Sequence, residues 1–258
     1  MGPGPVMRSI PGCRMPSKKW KQPGLSSEDR NPYSEKQVSC KHFIFLPKPM
    51  TYESKHVELL DPEIGYNLTK YEYKKYRPHL NSFYHLDFNR FVPRERNNYR
   101  ILDLGAGDGR MYSQLKSINP EEYVACDCAK ELLAQHPGRI KKVICNLEKK
   151  RPFEDKYFDL LSAFFLLEHL EDIEHFFSEA FRILKPNGQV LIGHFLQKKL
   201  FTWGINGKKF KIKQHPHSLQ ELHQKAKEIG FFTGEMPLRD VCNPRLITGH
   251  LLLAEKRI

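Results

Sequence analysis

The stretch Arg100-Ile101-Leu102-Asp103-Leu104-Gly105-Ala106-Gly107-Asp108-Gly109-Arg110 constrains this chain more than any other. Arg100 to Leu104 reads as a short buried strand with Asp103 near its end. Gly105, Gly107 and Gly109 then allow a tight turn and a close approach of backbone to a ligand, because no Cβ stands in the way. Met111 onward reads as the start of a helix. A strand, a glycine turn and a helix N-terminus together make a nucleotide site whose backbone N–H groups face the ligand. The dinucleotide fingerprint has the spacing G-x-G-x-x-G. Here the third glycine comes one residue early, and Arg110 stands in its place. The Asp103 carboxylate would repel a pyrophosphate but would accept hydrogen bonds from an ammonium group, which favours a ligand with an amino-acid end and no phosphate.

The residues that follow supply partners in order. Tyr123–Asp127 reads as a second strand ending in a carboxylate. Asp127 lies 18 residues beyond Gly109 (127 − 109), which suits a contact to both ribose hydroxyls. Lys142–Asn146 reads as a third strand with a polar end, and Phe158–Phe164 as a fourth. Residues 181–192 read as a helix end, a Lys185-Pro186-Asn187-Gly188 turn and a fifth strand. Over residues 99–257 this order resembles the class I S-adenosylmethionine (SAM) methyltransferases of the methyltransferase-11, small-molecule type, and loosely the quinone-biosynthesis C-methyltransferases. The Asp-x-Gly-x-Gly-x-Gly pattern from Asp103 resembles their motif I. The resemblance implies SAM as cofactor, held by Asp103, Gly105, Ala106, Gly107, Gly109, Asp127 and Cys128, with Asn146 and Leu147 beside the adenine. It also implies an α/β, Rossmann-like, seven-stranded, mostly parallel sheet with helices on both faces and an antiparallel last strand.

The chain divides into a basic tail over residues 1–40, read as disordered, an N-terminal cap or lid segment over 41–98, and the SAM-binding core over 99–258. The first fifty residues hold nine Lys or Arg against three acids, about half of the formal net charge of +12. Such charge attracts nucleic acid or anionic surfaces, although basic runs more often lie on solvated faces. No acid precedes Glu28, as in a mitochondrial transit peptide, but Pro3, Pro5, Pro11 and Pro16 would break an amphipathic helix. The six cysteines lack zinc spacing and read as reduced thiols of a cytoplasmic protein. No apolar run approaches the roughly 18 residues that a membrane span requires.

Within 41–98, Tyr66, Tyr71, Tyr73 and Tyr76 precede a stretch, Leu80–Phe91, with apolar residues near helical spacing. One or two of Tyr66, Tyr71 and Tyr76 are expected to face the pocket. Asn206-Gly207 between alternating residues predicts an inserted β-hairpin near 201–213. Ser218-Leu219-Gln220-Glu221 is a capping box, with Gly230 as the helix stop. Glu235–Val241 and His250–Lys256 read as the last two strands.

Methyl transfer from a sulfonium is an in-line displacement, so the protein positions the nucleophile and often removes its proton. His169, after the fourth strand, and His194, ending the fifth, are the candidate bases, since histidine titrates near neutrality. His215 and His217 read as loop residues, and no metal site is expected. Ser162-Ala163-Phe164-Phe165 replaces the Asn/Asp-Pro-Pro-aromatic motif by which the family's amino-group and amide methylators are known. No Pro-Cys nucleophile of the cytosine-C5 type is present. The resemblance implies a small-molecule acceptor, and these absences argue against adenine-N6, glutamine-amide and cytosine-C5 methylation. The alternatives are an RNA or protein methyltransferase using the tail and the hairpin lysines Lys208, Lys209, Lys211 and Lys213, and a non-enzymatic scaffold.

Overall fold

The computed structural model describes residues 57–70, 87–91, 99–195, 201–240 and 243–257. The basic tail, Tyr71, Tyr73, Tyr76 and most of the Leu80–Phe91 stretch lie outside them. Of that stretch, Phe88–Arg90 forms a single 3-10 turn capped by Asp87, with Phe88 fully buried.

Seven strands form one sheet in the order β4-β3-β2-β5-β6-β10-β9. They are β2 (Arg100–Leu104), β3 (Glu122–Asp127), β4 (Lys141–Ile144), β5 (Phe158–Phe164), β6 (Leu184–Phe195), β9 (Phe232–Arg239) and β10 (Ile247–Glu255). The pairs from β4 to β6 are parallel, while β10 runs antiparallel to both β6 and β9. The sheet is thus the mostly parallel one expected, with its last strand reversed.

Alternation along the strands makes two apolar faces. Leu102, Leu104, Val124, Leu161 and Ile192 join one core, which includes Phe176, Phe177 and Ala180 of α4 (Ile173–Ile183) and Leu222 and Ala226 of α5 (Leu219–Ile229). Ile101, Tyr123, Ala125, Leu160 and Leu191 join the other, with Leu115 of α2 (Tyr112–Lys116) and Leu133 of α3 (Lys130–Leu133). The helix ends are fixed locally. The Asp172 side chain accepts from the His175 N–H at 2.8 Å, Ser218 and Glu221 form the capping box, and Gly230 stops α5 at φ 112°.

The Lys185–Gly188 segment is an irregularity inside β6 rather than a turn before it. Phe158 pairs with Leu184 and Leu160 with Gln189, so the intervening residues bulge out. Asn187 takes φ 60° there and donates its N–H to the Lys256 carbonyl at 2.7 Å.

A separate three-stranded sheet has the order β1-β8-β7. The expected hairpin, β7 (Thr202–Ile205) and β8 (Lys208–Ile212), turns at Asn206-Gly207, and β1 (Glu58–Leu60) lies parallel to β8. Helix α1 (Pro62–Thr69) follows β1 directly. Trp203 and Phe210 are buried with Leu60 and Ile212, so neither ring is offered for stacking on a base.

The cysteine reading needs correction. Cys126, at the end of β3, is bonded to Cys145, just past β4, and Cys128 is a free thiol. Neighbouring parallel strands bring the two Cα atoms to 6.4 Å, within bonding reach, which sequence separation alone does not reveal. Among the described residues no helix is long and apolar enough to cross a membrane.

One ion-pair group has a clear pH signature. Arg182 holds Glu179 at 2.8 Å and Asp155 at 2.6 Å, and the Arg151 N–H also donates to Glu179 at 2.9 Å. The Arg182 hydrogen bonds, helped by that N–H, bring the Glu179 carboxyl down to about 2 from the usual 4.5. A depressed carboxyl contributes stability above its unfolded value and loses it as pH falls toward the folded one. Glu179→Gln is expected to lower stability by about 1–2 kcal/mol at pH 7. In denaturant melts the gap to the wild type should shrink between pH 4.5 and 2.

Candidate functional site

The carboxyl ends of β2, β3 and β5 open on a cavity of about 450 Å³. Gly105 and Gly107 of the loop, Asp127, Cys128, Asn146 and Leu147 line it. So do Tyr66 of α1, Phe164, Phe165, His169, Lys213 and His215.

Asp127 organises this end of the sheet. Its Oδ2 accepts the Gly107 N–H at 2.8 Å and its Oδ1 the Ala129 N–H at 2.8 Å. The carboxylate thereby ties the glycine loop to the start of α3. Burial raises its pKa, while the two N–H groups and the nearby His169 oppose the rise. Glycine suits the loop here: at Gly107, φ is 52° and an added Cβ would stand 3.3 Å from Leu132. The Cys128 thiol is pushed up to about 12, by burial first and then by the Asp127 charge, so it lines the cavity as a neutral group.

Asp103 lies beneath the loop. Tyr123 Oη donates to one of its oxygens at 2.5 Å and Ser162 Oγ to the other at 2.5 Å. Burial lifts its carboxyl to about 6 against those two hydroxyls, with the Asp127 charge adding to the rise. It lines a second, small cavity with Gly105, Ala106, Gly107, Arg110 and Phe165 rather than the main one. Gly109 lines neither and packs on His136 and Pro137. Phe165 holds φ 57°, a costly conformation for an aromatic residue, at the point where the two cavities adjoin.

The two candidate bases have separate fates. His169 lies on a 3-10 turn (Leu167–His169) and faces the cavity. Its Nδ1 is 3.0 Å from the Lys213 carbonyl and its Nε2 is 2.7 Å from Tyr66 Oη. A carbonyl only accepts, so Nδ1 carries the proton, Nε2 accepts, and the phenol donates. His194 is absent from the cavity wall and stands opposite His250 in the β6–β10 register. Burial lowers its pKa, and His250 and His217 lower it further against Glu168.

Lys213 and His215, read from sequence as part of the hairpin and a loop, belong to the wall. The His215 N–H donates to the Glu168 carbonyl at 2.7 Å, which docks that segment beside His169. Their place depends on how the hairpin returns, and no local pattern encodes it.

Residues 102–192 match the methyltransferase domain family. The ubiquinone/menaquinone biosynthesis C-methyltransferase UbiE of Proteus mirabilis is 33% identical over 111 residues, 39% of this chain and 44% of the relative. An uncharacterized protein of Methanocaldococcus jannaschii is 30% identical over 146 residues, 55% of this chain and 67% of that one. The chain spans less than half the length of the first curated relatives it matches. Among solved structures, the DhpI–SAH complex superposes with TM-score 0.59 at 18% identity, over 75% of this chain and 94% of that one. A SAM-dependent methyltransferase of Methanosarcina mazei gives TM-score 0.52 at 16% identity, over 66% of this chain and 97% of that one. At these identities the superpositions establish the fold.

The chain belongs to the class I SAM-dependent methyltransferases.

The family's cofactor is SAM, and the residues of this methyltransferase suit it. Each Asp127 oxygen accepts one backbone N–H, which leaves lone pairs for two ribose hydroxyls. The cavity volume lies within the roughly 300–1,000 Å³ of small-molecule sites. No group of three or more metal-ligating side chains is present among the described residues.

The glycine loop also carries a steric test. At Gly109, φ is 78° and an added Cβ would meet His136 and Pro137 at 2.7 Å. Gly109→Ala is expected to cost about 1–3 kcal/mol. Thermal melts should show the loss without ligand present.

Proposed function

We propose that this methyltransferase transfers the SAM methyl group to a small-molecule acceptor, with His169 and Tyr66 handling the acceptor's proton. The observation that carries this reading is the Tyr66 Oη–His169 Nε2 hydrogen bond of 2.7 Å on the wall of the cavity that Asp127 also lines. Asp127 would hold the ribose hydroxyls, Asn146 and Leu147 would flank the adenine, and Asp103, beneath Gly105 and Gly107, would attract the ammonium end. Bound SAM supplies an electrophilic methyl on a sulfonium, with a neutral thioether as leaving group.

The hydrogen-bonded pair supports a proton path. The Lys213 carbonyl fixes His169 with Nε2 free to accept. As the acceptor atom bonds to the methyl carbon, its proton passes to Tyr66 Oη, and the Tyr66 proton passes to His169 Nε2. The imidazolium so formed lies within electrostatic reach of Asp127. A pair of this kind suits an acceptor O–H, N–H or acidified C–H. His194 has no part in this path.

The C-methyltransferase relatives favour carbon among these atoms, although they match only part of the chain. Burial of Trp203 and Phe210 weighs against a nucleic acid stacked on the hairpin.

This protein and SAM with an isotopically labelled methyl group, incubated in parallel with a protein-free metabolite extract, with total RNA and with heat-inactivated cell protein, test the reading. Label should enter small molecules; label found only in RNA or protein would refute it. With the acceptor so found, His169→Gln and Tyr66→Phe are each expected to lower kcat about 10²–10⁴-fold. The binding of S-adenosylhomocysteine should change little.

A further inference from the structure

The Cys126–Cys145 bridge closes the adenosine end of the cavity. Cys126 is fully buried, and its carbonyl accepts the Ala106 N–H of the glycine loop at 3.0 Å. The next residue is Asp127. Cys145 is partly exposed, its N–H donates to the Asp127 carbonyl at 3.1 Å, and Asn146 and Leu147 follow it in the cavity wall. The bridge therefore joins the two segments that line the cavity at the residues immediately before each lining group.

The second of these segments is otherwise lightly held. It leaves β4, an edge strand of four residues in which Lys141, Lys142 and Ile144 are exposed and pairing is to β3 alone. Beyond Ile144, Leu147 is buried, and the remaining ties are hydrogen bonds: Glu148 N–H to Asn146 Oδ1 at 2.9 Å, Lys149 N–H to the Asn146 carbonyl at 3.2 Å, and Glu171 N–H to Glu148 Oε1 at 2.7 Å. Two of those three lie within the segment itself.

We propose that the Cys126–Cys145 disulfide is a redox-controlled clasp that sets the affinity of this methyltransferase for its adenosine-bearing cofactor. The proposal rests on the cofactor reading of Asp127, Asn146 and Leu147. The reductant is a dithiol. One of its thiolates attacks Cys145 Sγ, the more accessible sulfur, and a mixed disulfide forms as Cys126 departs as a thiolate and takes up a proton. The second thiol of the reductant then displaces Cys145, which leaves as a thiol. Two electrons pass from the dithiol to the bridge, and the reductant ends as a cyclic disulfide. With the bridge open, the 145–148 segment is held by the Cys145 N–H to Asp127 carbonyl hydrogen bond and by the packing of Leu147 in the core, and the wall spends part of its time displaced from Asp127. If the closed wall is then populated about one tenth of the time, the apparent Kd rises about tenfold.

Calorimetric titration of the full chain with S-adenosylhomocysteine, before and after dithiothreitol, tests the clasp. Thiol titration should rise by two on reduction, the far-UV spectrum should persist, and Kd should rise about tenfold. Reoxidation with a small-molecule disulfide should restore the original Kd. Cys145→Ser should bind like the reduced protein and ignore the reductant. If that variant does not fold, the reduction and reoxidation of the wild type decide alone. Two new thiols with an unchanged Kd overturn the clasp and leave the cofactor reading standing. Loss of the far-UV spectrum on reduction also overturns it, since the bridge would then hold the fold rather than the wall. Failure of the oxidised protein to bind S-adenosylhomocysteine removes the cofactor reading, and the clasp with it.

Discussion

One carboxylate holds the working end of this molecule together. Asp127 takes an N–H from the glycine loop at Gly107 and another from the start of α3 at Ala129. A buried carboxylate is costly unless its oxygens are satisfied, and these two backbone donors meet that need while leaving lone pairs toward the cavity. The glycine loop meets Asp127 with Gly107 at φ 52°, a backbone conformation that favours glycine. The parallel sheet beneath supplies the geometry: β2 and β3 lie side by side in register, so the loop after one meets the carboxylate ending the other.

Much of this was legible in the sequence because it is local. The strand before Gly105, the capping box at Ser218, the stop at Gly230 and the Asn206-Gly207 hairpin each depend on neighbouring residues, and each formed where its pattern stood. Asp127 was legible for a different reason: its distance from the glycine loop is set by one strand–helix–strand unit. What escaped is what depends on distant segments. Lys213 and His215 reach the cavity through the return of the hairpin, which no short motif encodes. His194 and His169 looked equivalent along the chain, yet one stands opposite His250 in the sheet and the other meets Tyr66. The Cys126–Cys145 bond depends on strands β3 and β4 being neighbours, whereas spacing alone had pointed to free thiols. The Lys185–Gly188 segment was placed correctly in sequence, but its inclusion in β6 follows from pairing on both sides of it.

The site divides its labour among elements of different stability. The glycine loop and Asp127 sit on central strands buried on both faces. Tyr66 comes from a short helix beside a small satellite sheet, and Asn146 from the loop after an edge strand. The proposed ribose contact thus rests on central strands, and the proposed acceptor and adenine contacts on a satellite helix and an edge-strand loop.

The measurement that tests this account most directly is calorimetric titration of S-adenosylhomocysteine into the oxidised wild type and into Asp127→Ala. The account predicts micromolar binding by the wild type and a loss of at least about tenfold in the variant, as expected when charge-assisted hydrogen bonds to two hydroxyls are removed. Equal affinity in the two proteins would contradict it, because the ligand would then be held elsewhere than at the carboxylate around which the site is built.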